Sequence, residues 1–264
     1  MAMQRRSFQH DGLTFSYLDS LCDGPMVVAL HAHMMEATTF SPLAADLGPN
    51  WRVVALDQRG QGHSSHALSY TRADYLGDIE ALLEHLGVEQ AVLLGNSLGG
   101  VNAYQFAAKY PTRVLALVIE DIGAVISDDI SFILPWGGVF TTREELENRI
   151  GPRFVPYFQD SFRQTEDGPL GGGWKLGFEP SEMVESQRQL VGDHWLDWLA
   201  SRCPALLIRG RESRVTNEAQ CSEMTERRAN TKLLTLDGGH VLHFDDPAGF
   251  NASVRKFLNS LKQH

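Results

Sequence analysis

One serine lies at a position where a side chain could act as a nucleophile. Residues 95–99 read Gly-Asn-Ser-Leu-Gly, with four apolar residues before them and an alanine-rich helical pattern after them. A strand, a sharp turn and a helix in this order expose the hydroxyl at the turn, and the helix N-terminus offers N–H groups to a developing negative charge. The pattern predicts Ser97 as a nucleophile. The alternative is a loop serine that only caps the following helix.

The elements that would position this serine alternate between strands and helices. Runs such as 27–30 and 115–119 are apolar throughout, which is typical of parallel strands buried on both faces. The alternation predicts an α/β fold, with a mostly parallel sheet and helices on both faces. The predicted strands are 14–19, 26–32, 52–57, 91–95, 114–121, 205–210 and 232–236, and the predicted helices are 73–86, 98–110, 217–228 and 247–261.

The alternation stops between residues 122 and 200, where aromatic residues accumulate. This stretch holds 11 of the chain's 24 aromatic residues. We interpret 1–121 and 201–264 as the core and 122–200 as a small inserted cap, with a helix beginning near Thr141 and a capping box to Glu144. Most of the aromatics should form the cap's own core, and a minority should line a pocket against the sheet. The residues predicted to bind substrate are Trp136, Phe140 and Trp195.

Four segments together resemble the α/β-hydrolase fold superfamily. They are Leu-His-Ala-His at 30–33, Asp-Gln-Arg-Gly-Gln-Gly-His-Ser at 57–64, the turn at Ser97, and Gly-Gly-His at 238–240. The resemblance covers essentially the whole chain, and the insert matches the cap of that family. It implies a triad in the chain order serine, acid and histidine, together with an oxyanion hole made by two backbone N–H groups.

The resemblance implies that His240 is the catalytic base, because it follows the last predicted strand on a Gly-Gly turn. A base must reach the serine hydroxyl and be oriented by an acid. His243, three residues later, is the alternative. The pair also reads His-x-x-His, but no third ligand has a suitable spacing, so we expect no metal and no other cofactor.

The position of the acid departs from the most common pattern of the superfamily. There the acid follows the seventh strand, three residues after a glycine, and the matching residue here is Ser213, which cannot stabilise an imidazolium. Asp121 ends the predicted strand 114–121, in a context that resembles small esterases of this superfamily whose acid follows strand six. We predict Asp121 as the acid, with Glu212 and then Glu120 as alternatives.

The resemblance also implies which backbone groups would form the oxyanion hole. They are the N–H of Leu98, directly after the serine, and the N–H of His33, after the strand that ends near residue 32. The superfamily usually has a glycine where this chain has Ala32. Alanine permits fewer backbone conformations, so the geometry of this loop is expected to differ from the usual one.

Composition excludes several other classes of protein. With 33 acidic and 23 basic residues, the net charge of −10 argues against a nucleic-acid-binding protein. A 43% hydrophobic and 21% charged composition is that of an ordinary globular chain. No apolar run approaches the length of a membrane helix, no secretory signal is visible, and the three cysteines show no paired spacing. We therefore expect a cytoplasmic protein.

The predicted function is that of a serine hydrolase that cleaves a carboxylic ester, lactone or thioester through an acyl-enzyme. Its partner should be a small molecule with an apolar portion, and neither a nucleic acid nor a membrane. Two alternatives use the same residues. One is a C–C bond hydrolase, and the other is a cofactor-free dioxygenase in which His240 and Asp121 form a dyad.

Overall fold

The central sheet contains eight strands, and five of its seven pairings are parallel. The computed structural model describes residues 2–168 and 171–262. Its strands are β1 (Gln4–His10), β2 (Leu13–Asp19), β3 (Met26–Leu30), β4 (Arg52–Leu56), β5 (Ala91–Asn96), β6 (Val114–Glu120), β7 (Val125–Ile126), β8 (Phe162–Thr165), β9 (Gly173–Leu176), β10 (Gly192–Asp193), β11 (Ala205–Gly210) and β12 (Thr231–Leu236). The order in the central sheet is β1-β2-β4-β3-β5-β6-β11-β12. This confirms the predicted mostly parallel sheet.

Helices cover both faces of this sheet, as predicted. They are α1 (Ser41–Leu47), α2 (Arg72–His85), α3 (Leu98–Lys109), α4 (Arg143–Ile150), α5 (Val155–Phe158), α6 (Pro180–Leu190), α7 (Trp195–Ala200), α8 (Glu218–Arg227), α9 (Leu242–Asp245) and α10 (Pro247–Leu261). Buried residues of α2, α3 and α8 belong to the core on one face, and those of α1 and α10 belong to the core on the other. None of the helices in the described ranges is both long and apolar enough to span a bilayer.

The central strands are apolar throughout because they contribute to both cores. In β3, Val28 and Leu30 face one core, whereas Val27 and Ala29 face the other. Burying each of the larger side chains stabilises the fold by about 1.5–3 kcal/mol. The strand of the central sheet that the sequence missed is β1, an edge strand that pairs antiparallel with β2 and has Phe8 as its buried residue. Its polar composition gave no apolar run to detect.

The described residues of 122–200 form helices and small two-stranded sheets between β6 and β11. β7 pairs with β10, and β8 pairs with β9. α4 begins after Thr142, whose hydroxyl and the Glu145 carboxylate form the capping box, one residue later than expected. α7 packs on α3, where Trp198 lies edge-on to Tyr104. The division into core and cap at 121 and 200 stays a prediction.

Close packing of α3 against β3 explains the glycines around the serine. A Cβ on Gly99 would lie 2.0 Å from the carbonyl oxygen of Leu30, and one on Gly95 would lie 2.1 Å from the carbonyl oxygen of Gly99. Both distances are far below van der Waals contact. The two glycines therefore allow the strand to turn sharply into the helix while the helix stays against the sheet.

We expect Gly99→Ala to lower the free energy of unfolding by at least about 3 kcal/mol, because the backbone of β3 cannot move aside. Gly77→Ala is the matched control. Gly77 lies inside α2, and its Cβ would meet the His10 ring at an ordinary 3.5 Å. That change should raise stability by up to about 1 kcal/mol through helix propensity. Urea unfolding measures both, and equal midpoints for the two variants would contradict the packing argument.

Candidate active site

Ser97 lies at the turn between β5 and α3, in a strained backbone conformation. Its φ and ψ are 52° and −116°. Positive φ is uncommon for a residue other than glycine, and such strain concentrates at functional sites. Within residues 2–168 and 171–262, five other non-glycine residues have positive φ, and two of them, Met34 and Asp121, lie in the loops that surround Ser97. The Ser97 N–H donates to the carbonyl of Glu120 at 3.1 Å, which ties the turn to the end of β6.

Asp121 and His240 are brought together from distant parts of the chain. Asp121 directly follows β6, and His240 lies between β12 and α9. Asp121 Oδ2 lies 2.8 Å from His240 Nδ1, and the carboxylate is fully buried, whereas about 29% of the histidine side chain is exposed. A carboxylate at Nδ1 orients an imidazole and fixes its tautomer, so that Nε2 can act as the base.

The Asp121 carboxylate is held by three further hydrogen bonds. Its Oδ1 accepts from the backbone N–H of Gly210 at 2.9 Å and from the Thr216 hydroxyl at 2.7 Å. Its Oδ2 accepts from the Ser213 hydroxyl at 2.5 Å. Donors of this kind compensate a carboxylate for the loss of water. Ser213, at the position that the superfamily usually fills with the acid, thus contacts the acid predicted here. Sequence reasoning had assigned no role to Ser213 or Thr216.

The alternative acids and the alternative base have different surroundings. Glu212 is exposed, and its carboxylate has no hydrogen-bond donor among the residues that the structure describes. Glu120 is fully buried and contacts His243, with its Oε2 2.8 Å from His243 Nδ1. The two histidines therefore each pair with a different carboxylate, and the two carboxylates are adjacent in sequence.

The loop after β3 contains the predicted oxyanion residue His33. No described residue accepts a hydrogen bond from the His33 N–H. Leu98 is the first residue of α3, so its N–H has no acceptor within the helix. The His33 ring points away from solvent, and its Nε2 shares a 2.8 Å hydrogen bond with the Ser186 hydroxyl. The pKa of His33 is lowered to about 3, mainly by burial and in smaller part by the nearby charge of Arg72.

A cavity of about 480 Å³ opens beside Ser97 and His240. This volume is within the range of small-molecule sites. Most of the lining is apolar, and charged side chains are few. The apolar lining residues are Ala32, Met34, Met35, Ile122, Ile126, Ile130, Phe132, Phe154, Tyr157, Phe158, Leu190, Val215 and Val241. The charged ones are Asp128, Asp129, Arg153, Glu212 and Arg214.

The three aromatic residues predicted to bind substrate are not among the described residues that line this cavity. Trp136 is buried in an aromatic cluster with Phe132, Phe154 and Phe158, at ring distances of 5.4–5.8 Å. Phe140 pairs through its backbone with Trp174, and the Arg149 guanidinium lies over its ring. The ring of Trp195 is covered by a guanidinium from α8, 3.9 Å away. Each ring thus packs against other side chains, and the cavity is lined by different aromatics from the same stretch.

Tyr157 links the cavity to the loop that contains His240. Its hydroxyl donates to Asp245 Oδ1 at 2.7 Å, and Asp245 Oδ2 accepts the backbone N–H of Gly239 at 2.7 Å. The Tyr157 ring also packs against Phe244, at 4.9 Å between centroids. Burial and the bond to Asp245 raise the pKa of Tyr157 to about 12, so the hydroxyl remains a donor at neutral pH. A residue on the cavity wall is therefore one side chain away from the backbone beside His240.

We expect the His33 ring to stay neutral between pH 5 and pH 8, because its pKa is lowered to about 3. His66 provides the contrast, since its hydrogen bond to Glu182 raises its pKa above the ordinary 6.5. In an NMR titration of the imidazole carbon-bound protons, assigned with His33→Gln and His66→Gln, the His33 signals should not move and the His66 signals should titrate above pH 6.5. A His33 midpoint near 6.5 would contradict the burial.

Comparisons with known proteins agree with the α/β fold described above. A family model described as alpha/beta hydrolase fold matches residues 25–154. The chain is similar to 2-(acetamidomethylene)succinate hydrolase of Mesorhizobium japonicum, with 27% identity over 90% of this chain and 89% of that protein. It is also similar to nap, an uncharacterised carboxylesterase of Bacillus subtilis, with 24% identity over 90% of this chain and 80% of that protein.

Solved structures show the same fold. The crystal structure of E-2-(acetamidomethylene)succinate hydrolase superposes with a TM-score of 0.84 at 22% identity, covering 97% of this chain and 99% of that one. The matching fold, the family model and the strand-turn-helix at Ser97 agree with one another. This chain belongs to the α/β-hydrolase fold superfamily.

Proposed function

We propose that this protein is a serine hydrolase that cleaves a carboxylic ester, lactone or thioester through an acyl-enzyme. The observation that carries the proposal is the 2.8 Å contact between Asp121 and His240 beside the cavity that Ser97 also lines. Relatives that are named as hydrolases and a carboxylesterase support the same reaction class. The superfamily alone does not define the bond that is cleaved, because one fold supports many reactions.

In the proposed reaction, His240 Nε2 removes the proton of the Ser97 hydroxyl as the oxygen attacks the carbonyl carbon. Asp121 stabilises the imidazolium that forms, and the N–H groups of Leu98 and His33 bind the oxyanion of the tetrahedral intermediate. The imidazolium then protonates the leaving alcohol, thiol or enol oxygen, which leaves an acyl-Ser97. Water, deprotonated by His240, attacks this ester and releases the acid and the free serine.

The cavity supports a substrate with an apolar acyl or aryl group of modest size. Its wall is formed mostly by aliphatic and aromatic side chains, and the few charged residues include Asp128, whose pKa is raised by burial. A volume of about 480 Å³ suits a small molecule rather than a polymer. We propose that residues 122–200 form a cap that supplies Phe132, Phe154, Tyr157 and Phe158 to this wall.

The first test is a panel of p-nitrophenyl esters, lactones and acyl-CoA thioesters, with 2-(acetamidomethylene)succinate added because of the relative that carries its name. We expect the wild-type protein to hydrolyse short or medium apolar esters and to be labelled at one serine by a fluorophosphonate. Ser97→Ala should abolish both. Wild-type protein that stays unlabelled and turns over no compound of the panel would contradict the proposal.

The second test separates the candidate acids. Asp121→Asn should lower kcat by about 10³–10⁴-fold, since the equivalent change in chymotrypsin-like proteases costs about 10⁴. Glu212→Gln is the matched control, because it removes a carboxylate that also borders the cavity, and it should stay within a few-fold of wild type. The reverse order would identify Glu212 as the acid.

Two other outcomes would indicate the alternative reactions. Oxygen uptake that survives in Ser97→Ala would indicate the dioxygenase. Cleavage of a carbon–carbon bond, with a carboxylic acid as one product and a fragment protonated on carbon as the other, would indicate the C–C bond hydrolase.

A further inference from the structure

We propose that Glu120 and His243 form a second, buried histidine–carboxylate pair that positions His240 for catalysis. This inference rests on the proposed function, because it assigns the pair a role in placing the base. Neither residue is a catalytic residue in this proposal. Both act through the chain segment that they hold. Both are buried, and neither lines the cavity beside Ser97.

The contacts of this pair are numerous and almost completely shielded from water. His243 Nδ1 lies 2.8 Å from Glu120 Oε2 and 3.0 Å from Oε1, and Oε1 also accepts the His243 backbone N–H at 2.9 Å. On the other side of the ring, Nε2 shares a 2.6 Å hydrogen bond with the Thr39 hydroxyl. The ring packs between Phe40 and Phe250, with centroids 4.7 Å and 5.8 Å away. The imidazole therefore has one position.

The sequence positions of the two pairs explain how one can control the other. Glu120 and Asp121 are consecutive, and His240, which precedes α9, is three residues from His243, which lies within that helix. Two adjacent carboxylates thus hold both ends of one short segment. The segment needs this support because Gly238 and Gly239 precede it, and Gly238 has a φ of 138° that only glycine adopts readily. With His243 fixed, the segment can place the His240 ring against Asp121 in only one position.

A backbone connection brings the nucleophile into the same arrangement. The Asn96 side chain donates to the carbonyl of His240 at 3.0 Å and to the carbonyl of Glu120 at 3.2 Å. The Ser97 N–H donates to that same Glu120 carbonyl. Asn96, which precedes the proposed serine, is therefore hydrogen-bonded both to Glu120, which precedes the proposed acid, and to the proposed base itself. Glu120 belongs to this junction through its backbone, and to the His240 segment through its side chain.

Stability alone does not explain why this position holds a charged pair. Burying two ionisable groups carries a desolvation cost, and apolar side chains of similar volume are often equally stable or more stable in such a position. Apolar contacts, however, are not directional, so they do not fix the orientation of the backbone. A hydrogen-bonded pair does, because the Glu120 carboxylate accepts from both the ring N–H and the backbone N–H of His243. The geometry indicates that this pair fixes the position of the segment that contains His240.

The test is the double variant E120L/H243F, which replaces the pair by apolar side chains. A matched control is R59M/D78L, which removes another buried pair, at 2.7 Å, whose residues do not line the cavity. With the best ester of the panel, we expect E120L/H243F to keep its melting temperature within a few degrees. Its kcat should fall by about 10- to 100-fold, since small misplacements of a catalytic group have effects of this size. Its KM should stay within about twofold, and the control should keep its kcat.

A proton NMR measurement separates this inference from the proposed function. The hydrogen-bonded Nδ1 proton of His240, identified by its loss in His240→Gln, should broaden or disappear in E120L/H243F while it persists in the control. An unchanged signal, or a kcat within twofold of wild type, overturns the inference even when Ser97 is labelled by the fluorophosphonate. If E120L/H243F does not fold, Glu120→Gln, which retains the size of the side chain, is judged by the same two measurements. An unlabelled wild-type Ser97 refutes the hydrolase instead.

Discussion

The buried carboxylate of Asp121 is the constraint on which the arrangement of this site depends. It has no contact with water, so each of its lone pairs needs a donor from the protein. The donors are the N–H of Gly210 at the end of β11, two hydroxyls that precede α8, and the ring of His240 after β12. A single carboxylate therefore fixes the relative positions of three chain segments, which are the end of β6, the loop after β11 and the loop after β12. A histidine held by this carboxylate is thereby held in a fixed position relative to the sheet.

Strain in the backbone is concentrated where these segments meet, and the sheet makes it tolerable. Met34, Ser97 and Asp121 all have positive φ in the loops at the carboxyl ends of β3, β5 and β6. These three strands are adjacent and parallel, and their side chains are buried in cores on both faces. A turn of this kind relaxes only if a central strand moves, and moving one would open both cores. These three residues with positive φ are thus attached to strands that cannot easily shift.

The sequence predicted the elements that have a clear hydrophobic pattern. Seven strands of the central sheet coincide with hydrophobic segments, whereas β1 is a polar edge strand and has none. Overlapping signals were ambiguous, since Thr141–Glu144 and Thr142–Glu145 both match a capping box and the structure uses the second. The lining aromatics could not be distinguished from Trp136, Phe140 and Trp195, because a ring faces the cavity or another ring according to tertiary packing alone. The contacts of the Ser213 and Thr216 hydroxyls with Asp121 could not be predicted for the same reason.

The position of the proposed acid after β6 has a consequence for the cavity. β6 and β11 are neighbours in the sheet, so an acid at the end of either strand can reach the same histidine. With Asp121 in that role, the loop after β11 needs to supply only hydrogen-bond donors, and Ser213 does so. Its other residues, including Glu212, Arg214 and Val215, are then free to line the cavity. These cavity-lining positions can therefore differ with the substrate, provided that Gly210, Ser213 and Thr216 keep their hydrogen bonds to the proposed acid.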